Sequence, residues 1–188
     1  MQKYFGALTM LLLLGLILVR VRMLKARGIK AMRFGGTDKS DFVILPFALF
    51  YFYTVFAHAF GFRAPGGPPF LQNTIVAWLG VFACLAGLVL LYWSLISFGN
   101  SFRVGIDQES PDHLITTGVF EVTRNPIYLA FALVLMGQFL IFPNWVLLLF
   151  LLCGVALFHR QVLREEKFLT NYYGQFYEDY CGRVRRYL

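Results

Sequence analysis

Residues 127–158 read IYLAFALVLMGQFLIFPNWVLLLFLLCGVALF. Two apolar runs, 127–142 and 145–158, are parted only by Pro143 and Asn144. Proline lacks a backbone N–H and disfavours helix at the residue before it, so Pro143 ends the first run. Two apolar helices joined by so short a turn must lie antiparallel, as a helical hairpin. Both ends of the hairpin then emerge on the same side of whatever the apolar runs are buried in.

Three further apolar runs precede the hairpin, at 4–19, 41–60 and 73–98. About 20 residues at a rise of about 1.5 Å cover the roughly 30 Å hydrocarbon core of a bilayer. The third run is longer than that and should tilt or project. The first has the look of a signal peptide, with Lys3 as its basic start. No small-x-small cleavage site follows it, however, and the chain passes directly into Arg20, Val21 and Arg22, so it reads as a retained membrane helix. Between the second and third runs, GFRAPGGPP (61–69) is a loop signal.

Composition agrees. Of 188 residues, 59% are hydrophobic, 18% aromatic and 14% charged, and the mean hydropathy is +0.64. Soluble domains run near 45–50% apolar and about 25% charged. Disorder is excluded, since it requires low hydrophobicity and high charge, and a soluble domain of this size could not hide so much apolar surface. The expected fold is all-α: a single integral membrane domain over 1–188, polytopic, with about five transmembrane helices. Three lie in 1–99. The last two form the tight hairpin in 100–188, followed by a cytoplasmic C-terminal helical segment.

The net charge of +7 does not point to nucleic acid, because the basic residues flank apolar runs and form no single basic face. They act instead as topology determinants and contacts to anionic lipid headgroups. With the seven basic residues of 20–40 (Arg20, Arg22, Lys25, Arg27, Lys30, Arg33, Lys39) placed in the cytoplasm, five crossings put 15 basic residues inside and only Lys3 and Arg63 outside. All ten acidic residues fall inside as well. The expected location is the cytoplasmic membrane, N-terminus outside and C-terminus cytoplasmic. Cys84, Cys153 and Cys181 are dispersed and odd in number, which argues against a disulfide framework or a zinc site, and no metal is expected.

This topology gathers the reactive residues into two cytoplasmic segments, 100–128 and 159–188, and the hairpin brings the neighbourhoods of Arg124 and Glu165 together. A polar pocket at the end of an apolar bundle suits a small-molecule site; the same segments also read as solvated ends of membrane helices. Pro126 fits the first turn of the fourth helix, and Asn125 fits a plain N-cap. Arg124 fits a lipid-phosphate contact and Tyr128 an interfacial aromatic. In the second segment Arg160 and Arg164 share a helical face. Glu165 and Glu166 read as a solvated pair, and Gly174 as a break between two short helices. His58 reads as a packed, hydrogen-bonded histidine, and His159 as a residue closing the fifth helix. Ala83-x-x-x-Gly87 is a small-xxx-small packing pattern.

The segment Gly118-Val-Phe120-x-x-x-Arg124-Asn125-Pro126-Ile-Tyr128 resembles the GxYxxxRHPxYxG signature of the isoprenylcysteine carboxyl methyltransferase family. His113-Leu114 resembles its HxLVxxG lead-in. Arg164-Glu165-Glu166-x-x-Leu169-x-x-x-x-Gly174-x-x-Tyr177-x-x-Tyr180-x-x-x-Val184 is similar to its EExxLxxxFGxxYxxYxxxV tail. The resemblance covers about residues 100–188, is greatest to small bacterial members, and extends to phospholipid methyltransferases.

The resemblance implies S-adenosylmethionine as methyl donor, bound at the cytoplasmic face, and a lipophilic or membrane-partitioned acceptor (a carboxylate, thiol or amine). It implies that Glu165 holds the cofactor's amino group and Arg124 or Arg164 its carboxylate. Phe120 and Tyr128 would pack on the adenine or face the sulfonium. His113, Leu114, Gly118 and Pro126 would complete the pocket, and Asn125 would stand in for the signature's histidine. The catalytic expectation rests on Arg124, Asn125 and Glu165. Asn125, Phe120 and Ala130 stand where the signature commonly has His, Tyr and Gly. Without the ionisable histidine one base is lost, which suits an acceptor that arrives as an anion and needs only positioning and desolvation. The alternatives are an NADPH-dependent membrane reductase of the sterol reductase type, disfavoured by two acids that would repel a 2′-phosphate, and a non-catalytic membrane protein.

Overall fold

The computed structural model describes residues 1–27, 41–99 and 114–188. His113 and most of the first basic loop, with Lys30, Arg33 and Lys39, lie outside the described residues, as does Arg103. Six helices follow one another, α1 (Gln2–Ala26), α2 (Asp41–Phe60), α3 (Thr74–Ser97), α4 (Pro126–Ile141), α5 (Trp145–Tyr173) and α6 (Gln175–Arg183), and no strand occurs among the described residues. A 3-10 turn, Gly118–Glu121, leads into α4. By length and composition α1, α3 and α5 can each cross a membrane. The apolar part of α2, Pro46–Phe60, and the whole of α4 are shorter. This is the polytopic all-α membrane architecture expected, and the protein is an integral membrane protein.

The hairpin is as read. Pro143 and Asn144 separate α4 from α5, and the Asn144 side chain accepts from Val146 N at 2.7 Å, capping α5. Its amide also donates to the carbonyls of Pro65 (3.2 Å) and Gly67 (3.0 Å), tying the 61–69 loop to the turn.

One boundary differs markedly. The fifth helix, expected to end at residue 158, continues as one rod of 29 residues to Tyr173. The added turns, HRQVLREEKFLTNYY, are polar but contain neither glycine nor proline, so the end of hydropathy is not the end of the helix. Gly174, at φ +54°, ends it. The break at Gly174 therefore lies between this long helix and the short α6, not between two short helices, and His159 sits inside α5 instead of at its end.

The core is built on the contact of α3 with α4. A Cβ added to Gly80 would lie 2.6 Å from the Gly137 carbonyl oxygen, and one added to Gly87 would lie 2.8 Å from that of Ala130. The close approach needs small residues on both helices. The stripe on α3 is Gly80, Cys84 and Gly87, all buried, whereas Ala83 of the expected small-xxx-small pair is only half-buried. α1 packs beside them, where Gln138 donates to Gly6 O at 2.8 Å inside the bundle. His58 stacks on Phe142, with ring centroids 5.5 Å apart, as a packed histidine. Its Nε2 has no hydrogen-bond partner among the described residues.

Candidate functional site

The residues before α4 are held from two sides. Gly118 adopts φ +68°, and a Cβ there would lie 2.5 Å from Ser97 Oγ at the end of α3. Ser97 Oγ accepts from Val119 N at 3.2 Å, which docks the 3-10 turn on α3. From the other side the C-terminal tail crosses the start of α4 as a strap. Arg124 N donates to Arg185 O (3.0 Å), and Thr123 Oγ1 and Asn125 Nδ2 both donate to Arg186 O at 3.2 Å. Asn125 is thus the N-cap residue by position, but its side chain caps no helical N–H and binds the tail instead.

The strap delivers Arg186 to Glu166. The guanidinium grips the carboxylate with both Nε, at 2.9 Å and 3.1 Å, and Nη2, at 2.8 Å. The hydrogen bonds and charge of Glu166 hold Arg186 above its usual pKa, against a smaller effect of burial. On its other side Glu166 lies 3.3 Å from Arg124 Nη1, with both side chains about one-tenth exposed. Arg124 also donates to the thiol sulfur of Cys181, while its Nε is buried without a partner among the described residues. Two guanidinium groups share one carboxylate, so the cluster carries a net positive charge and an unused donor.

Glu165, the preceding residue on α5, turns elsewhere. Its Oε1 accepts from the Tyr128 hydroxyl of α4 and from Gln161 Nε2 at 3.0 Å. The two neighbouring acids therefore serve two stations, Glu166 an ionic one and Glu165 a hydrogen-bonded one. Arg164 is exposed on α5.

Beside Tyr128 a cavity of about 220 Å³ opens between α4 and α5, lined by Tyr128, Leu129, Ala132, Val155, Phe158, His159 and Tyr187. Its walls are almost wholly hydrocarbon and aromatic, and Phe158 packs on the Tyr128 ring at 5.9 Å. At one edge His159 Nδ1 and the Tyr187 hydroxyl are 2.9 Å apart. Burial pushes the Tyr187 phenol above its usual pKa, so it stays protonated near neutrality. A larger, open hollow of about 520 Å³ lies in the 61–69 loop at the far side of the hairpin turn, lined by Tyr53 and residues 63–67, away from this cluster.

Of the residues expected at the site, Arg124, Asn125 and Pro126 gather at the α4 start, and Tyr128 meets Glu165. The carboxylate that engages Arg124 is Glu166, read from sequence as solvated. Phe120 is 5% exposed, edge-on to Phe98 with its carbonyl accepting from Tyr180 Oη at 2.6 Å, and belongs to the core of the lobe formed by the 3-10 turn and α6, with Val119, Tyr177 and Tyr180. Leu114 packs against the same core. Arg186, Tyr187 and Thr123 escaped sequence reasoning, which quoted Glu166 in the second motif block but gave it no role at the site. A signal for Glu166 exists: Phe150, Gly154, Phe158, Val162 and Glu166 recur every four residues, and all but half-buried Phe158 are buried. Among the described residues no group of three or more His, Cys, Asp or Glu is placed to hold a metal ion.

Residues 75–176, from α3 into the first residues of α6, match the family model of phospholipid methyltransferases. The chain is 32% identical over 125 residues to protein-S-isoprenylcysteine O-methyltransferase of Schizosaccharomyces pombe, a match covering 62% of this chain and 52% of that relative. It is 28% identical over 120 residues to the probable protein-S-isoprenylcysteine O-methyltransferase of Oryza sativa subsp. indica, covering 62% and 63%. To protein-S-isoprenylcysteine O-methyltransferase B of Arabidopsis thaliana it is 26% identical, covering 62% and 61%. The matches span less than two thirds of each of these relatives. No solved structure matches the chain. With more than half its length matched by the family model, including the first motif block and the second as far as residue 176, the chain belongs to the phospholipid methyltransferase family.

Proposed function

We propose that the chain is an S-adenosylmethionine-dependent methyltransferase acting on a lipophilic acceptor, with its site at the cytoplasmic ends of α4 and α5. The observation that carries this reading is the Arg124–Glu166–Arg186 cluster, positively charged and with Arg124 Nε unpartnered, set close to the apolar cavity beside Tyr128.

These residues fit the cofactor. Arg124 has a free donor and excess charge for its carboxylate, and Glu165 and Glu166 supply acceptors for its amino group. Tyr128 offers an aromatic face near a bound cation. The bound cofactor supplies a methyl group made electrophilic by a sulfonium. The chain's own contribution is to bind, orient and exclude water. Leu129, Ala132, Val155 and Phe158 give the acceptor an apolar seat, which strips water from its nucleophilic end. Tyr128, wedged between that seat and Glu165, keeps the two halves of the site in register. Similarity to relatives named for S-isoprenylcysteine supports an acceptor with a long hydrocarbon portion. The charge asymmetry supports a cytoplasmic membrane with the C-terminus inside.

The test is calorimetric titration of the solubilised chain with S-adenosylmethionine and with NADPH. Binding of the first alone is expected. Arg124→Ala should weaken it about tenfold or more, the worth of one charge-assisted hydrogen bond, while Arg186 still satisfies Glu166 and keeps the site folded. Binding of NADPH alone would replace the reading with a reductase.

A further inference from the structure

Residues 184–188 leave α6 as non-helical chain, with Val184 extended at φ −121° and ψ 134°. Their carbonyls fix the path across the start of α4, Arg185 O on Arg124 N and Arg186 O on Thr123 and Asn125. The Arg186 guanidinium is not needed for that path, yet it takes up Glu166. A carboxylate presents about four lone-pair sites. Arg186 Nε contacts both Glu166 oxygens, at 2.9 Å and 3.1 Å, Arg186 Nη2 lies at 2.8 Å and Arg124 Nη1 at 3.3 Å, so these sites are all occupied. The Glu166 side chain is 11% exposed and fixed on α5, whereas that of Arg186 is 40% exposed and can turn out into water.

We propose that the strap is a latch: Arg186 holds Glu166 against the ammonium group of the methyl donor's amino-acid end, and swings aside when that end binds. The proposal rests on the methyltransferase reading above and adds a competitor built into the chain. An α-amino acid carries its carboxylate and its ammonium on one carbon. With the carboxylate on Arg124, the ammonium falls beside the acid that partners Arg124, which is Glu166. Glu165 is turned away to Tyr128 and Gln161. Ammonium and guanidinium are both cations that bring donors alone, so they compete for the same lone pairs and repel each other at contact distance. Once Arg186 has left, Arg124 and Glu166 stand as a neutral pair, and the zwitterion matches it charge for charge. The main-chain bonds of the strap need not break, so the latch is a side-chain rotation and not an unfolding of the tail.

The test uses the full chain in lipid nanodiscs and two nucleosides, S-adenosylhomocysteine, which has the amino-acid end, and methylthioadenosine, which lacks it. Arg186→Gln removes the competing cation and leaves every main-chain bond of the strap. It should bind S-adenosylhomocysteine about three- to tenfold more tightly, the worth of a charge-assisted contact reduced by screening. Its affinity for methylthioadenosine should not change, whereas a variant with a damaged site would lose both. A second measurement needs no variant. Phenylglyoxal labels free guanidinium groups, and saturating S-adenosylhomocysteine should raise its labelling of Arg186 in the parent about threefold or more, with exposed Arg183 as the unchanged reference. Equal or weaker binding of S-adenosylhomocysteine by Arg186→Gln overturns the latch, and so does Arg186 labelling that stays level or falls. If parent and variant both take up neither nucleoside, the methyltransferase reading falls and the latch with it, a result distinct from binding that ignores Arg186.

Discussion

Arg124 at the start of α4 and Glu166 on α5 face each other at 3.3 Å, each side chain about one-tenth exposed. The pair joins the two ends of the hairpin, and Arg186 closes it from the tail. Removing the shared carboxylate leaves two guanidinium groups facing each other. Glu166→Gln should therefore cost about 2–3 kcal/mol, somewhat under the usual loss for a broken buried pair because Arg186 is 40% exposed to screening water. Thermal unfolding in detergent checks it; a loss below about 0.5 kcal/mol, as for an ordinary surface ion pair, would show that the cluster does not hold the hairpin.

The strap depends on main-chain acceptors met by two buried side chains. Thr123→Val keeps the shape and removes the hydroxyl that donates to Arg186 O and accepts from Asn125 N. Stability should fall by about 1–2 kcal/mol, and limited proteolysis should clip the last residues, 184–188, faster than in the parent. Equal clipping rates would mean that Arg186 alone fixes the tail.

The hairpin was legible because Pro143 and Asn144 interrupt hydropathy with two residues whose backbone chemistry is unambiguous. The extent of α5 was not, because a polar helix continuing an apolar one changes in hydropathy without changing in backbone, and only Gly174 marks its end. The motif blocks name the two segments that meet in the structure through Arg124 and Glu166. The choice between Glu165 and Glu166 needed the helix phase, which the four-residue recurrence from Phe150 carries once α5 is known to run unbroken. The strap left no trace in residue types, since the carbonyls of Arg185 and Arg186 do its accepting and every residue has one.

The α3–α4 contact predicts a contrast between two glycines. A Cβ at Gly80 meets the Gly137 carbonyl at 2.6 Å and Ile141 N at 2.9 Å, backbone that cannot swing aside, whereas one at Gly15 meets nothing within 4 Å. Gly80→Ala should therefore push α3 off α4 and cost about 1–3 kcal/mol. Gly15→Ala, in mid-helix, should be neutral or stabilise by up to about 1 kcal/mol. Comparable unfolding temperatures for the two variants would refute the packing.

The lobe formed by the 3-10 turn and α6 should fail in alkali. Burial pushes the Tyr180 phenol up to about 12, against a smaller opposing pull from Arg124, and burial likewise raises Tyr177. An unfolded tyrosine titrates near 10. Because the folded pKa lies above the unfolded one, the folded lobe binds the proton more tightly. Its stabilisation is complete below about pH 10 and is lost as pH rises through about 12. Tyrosinate absorbance should show a late-titrating fraction that disappears together with helical ellipticity. Tyr180→Phe removes one member of that fraction and also the 2.6 Å hydrogen bond to Phe120 O. Its carbonyl partner is then left buried and unpaired, so the variant should be less stable at pH 7 by about 1–2 kcal/mol yet lose less further stability between pH 10 and 12 than the parent. Parallel stability curves for the two proteins across that range would mean that the Tyr180 phenol does not carry the alkaline transition.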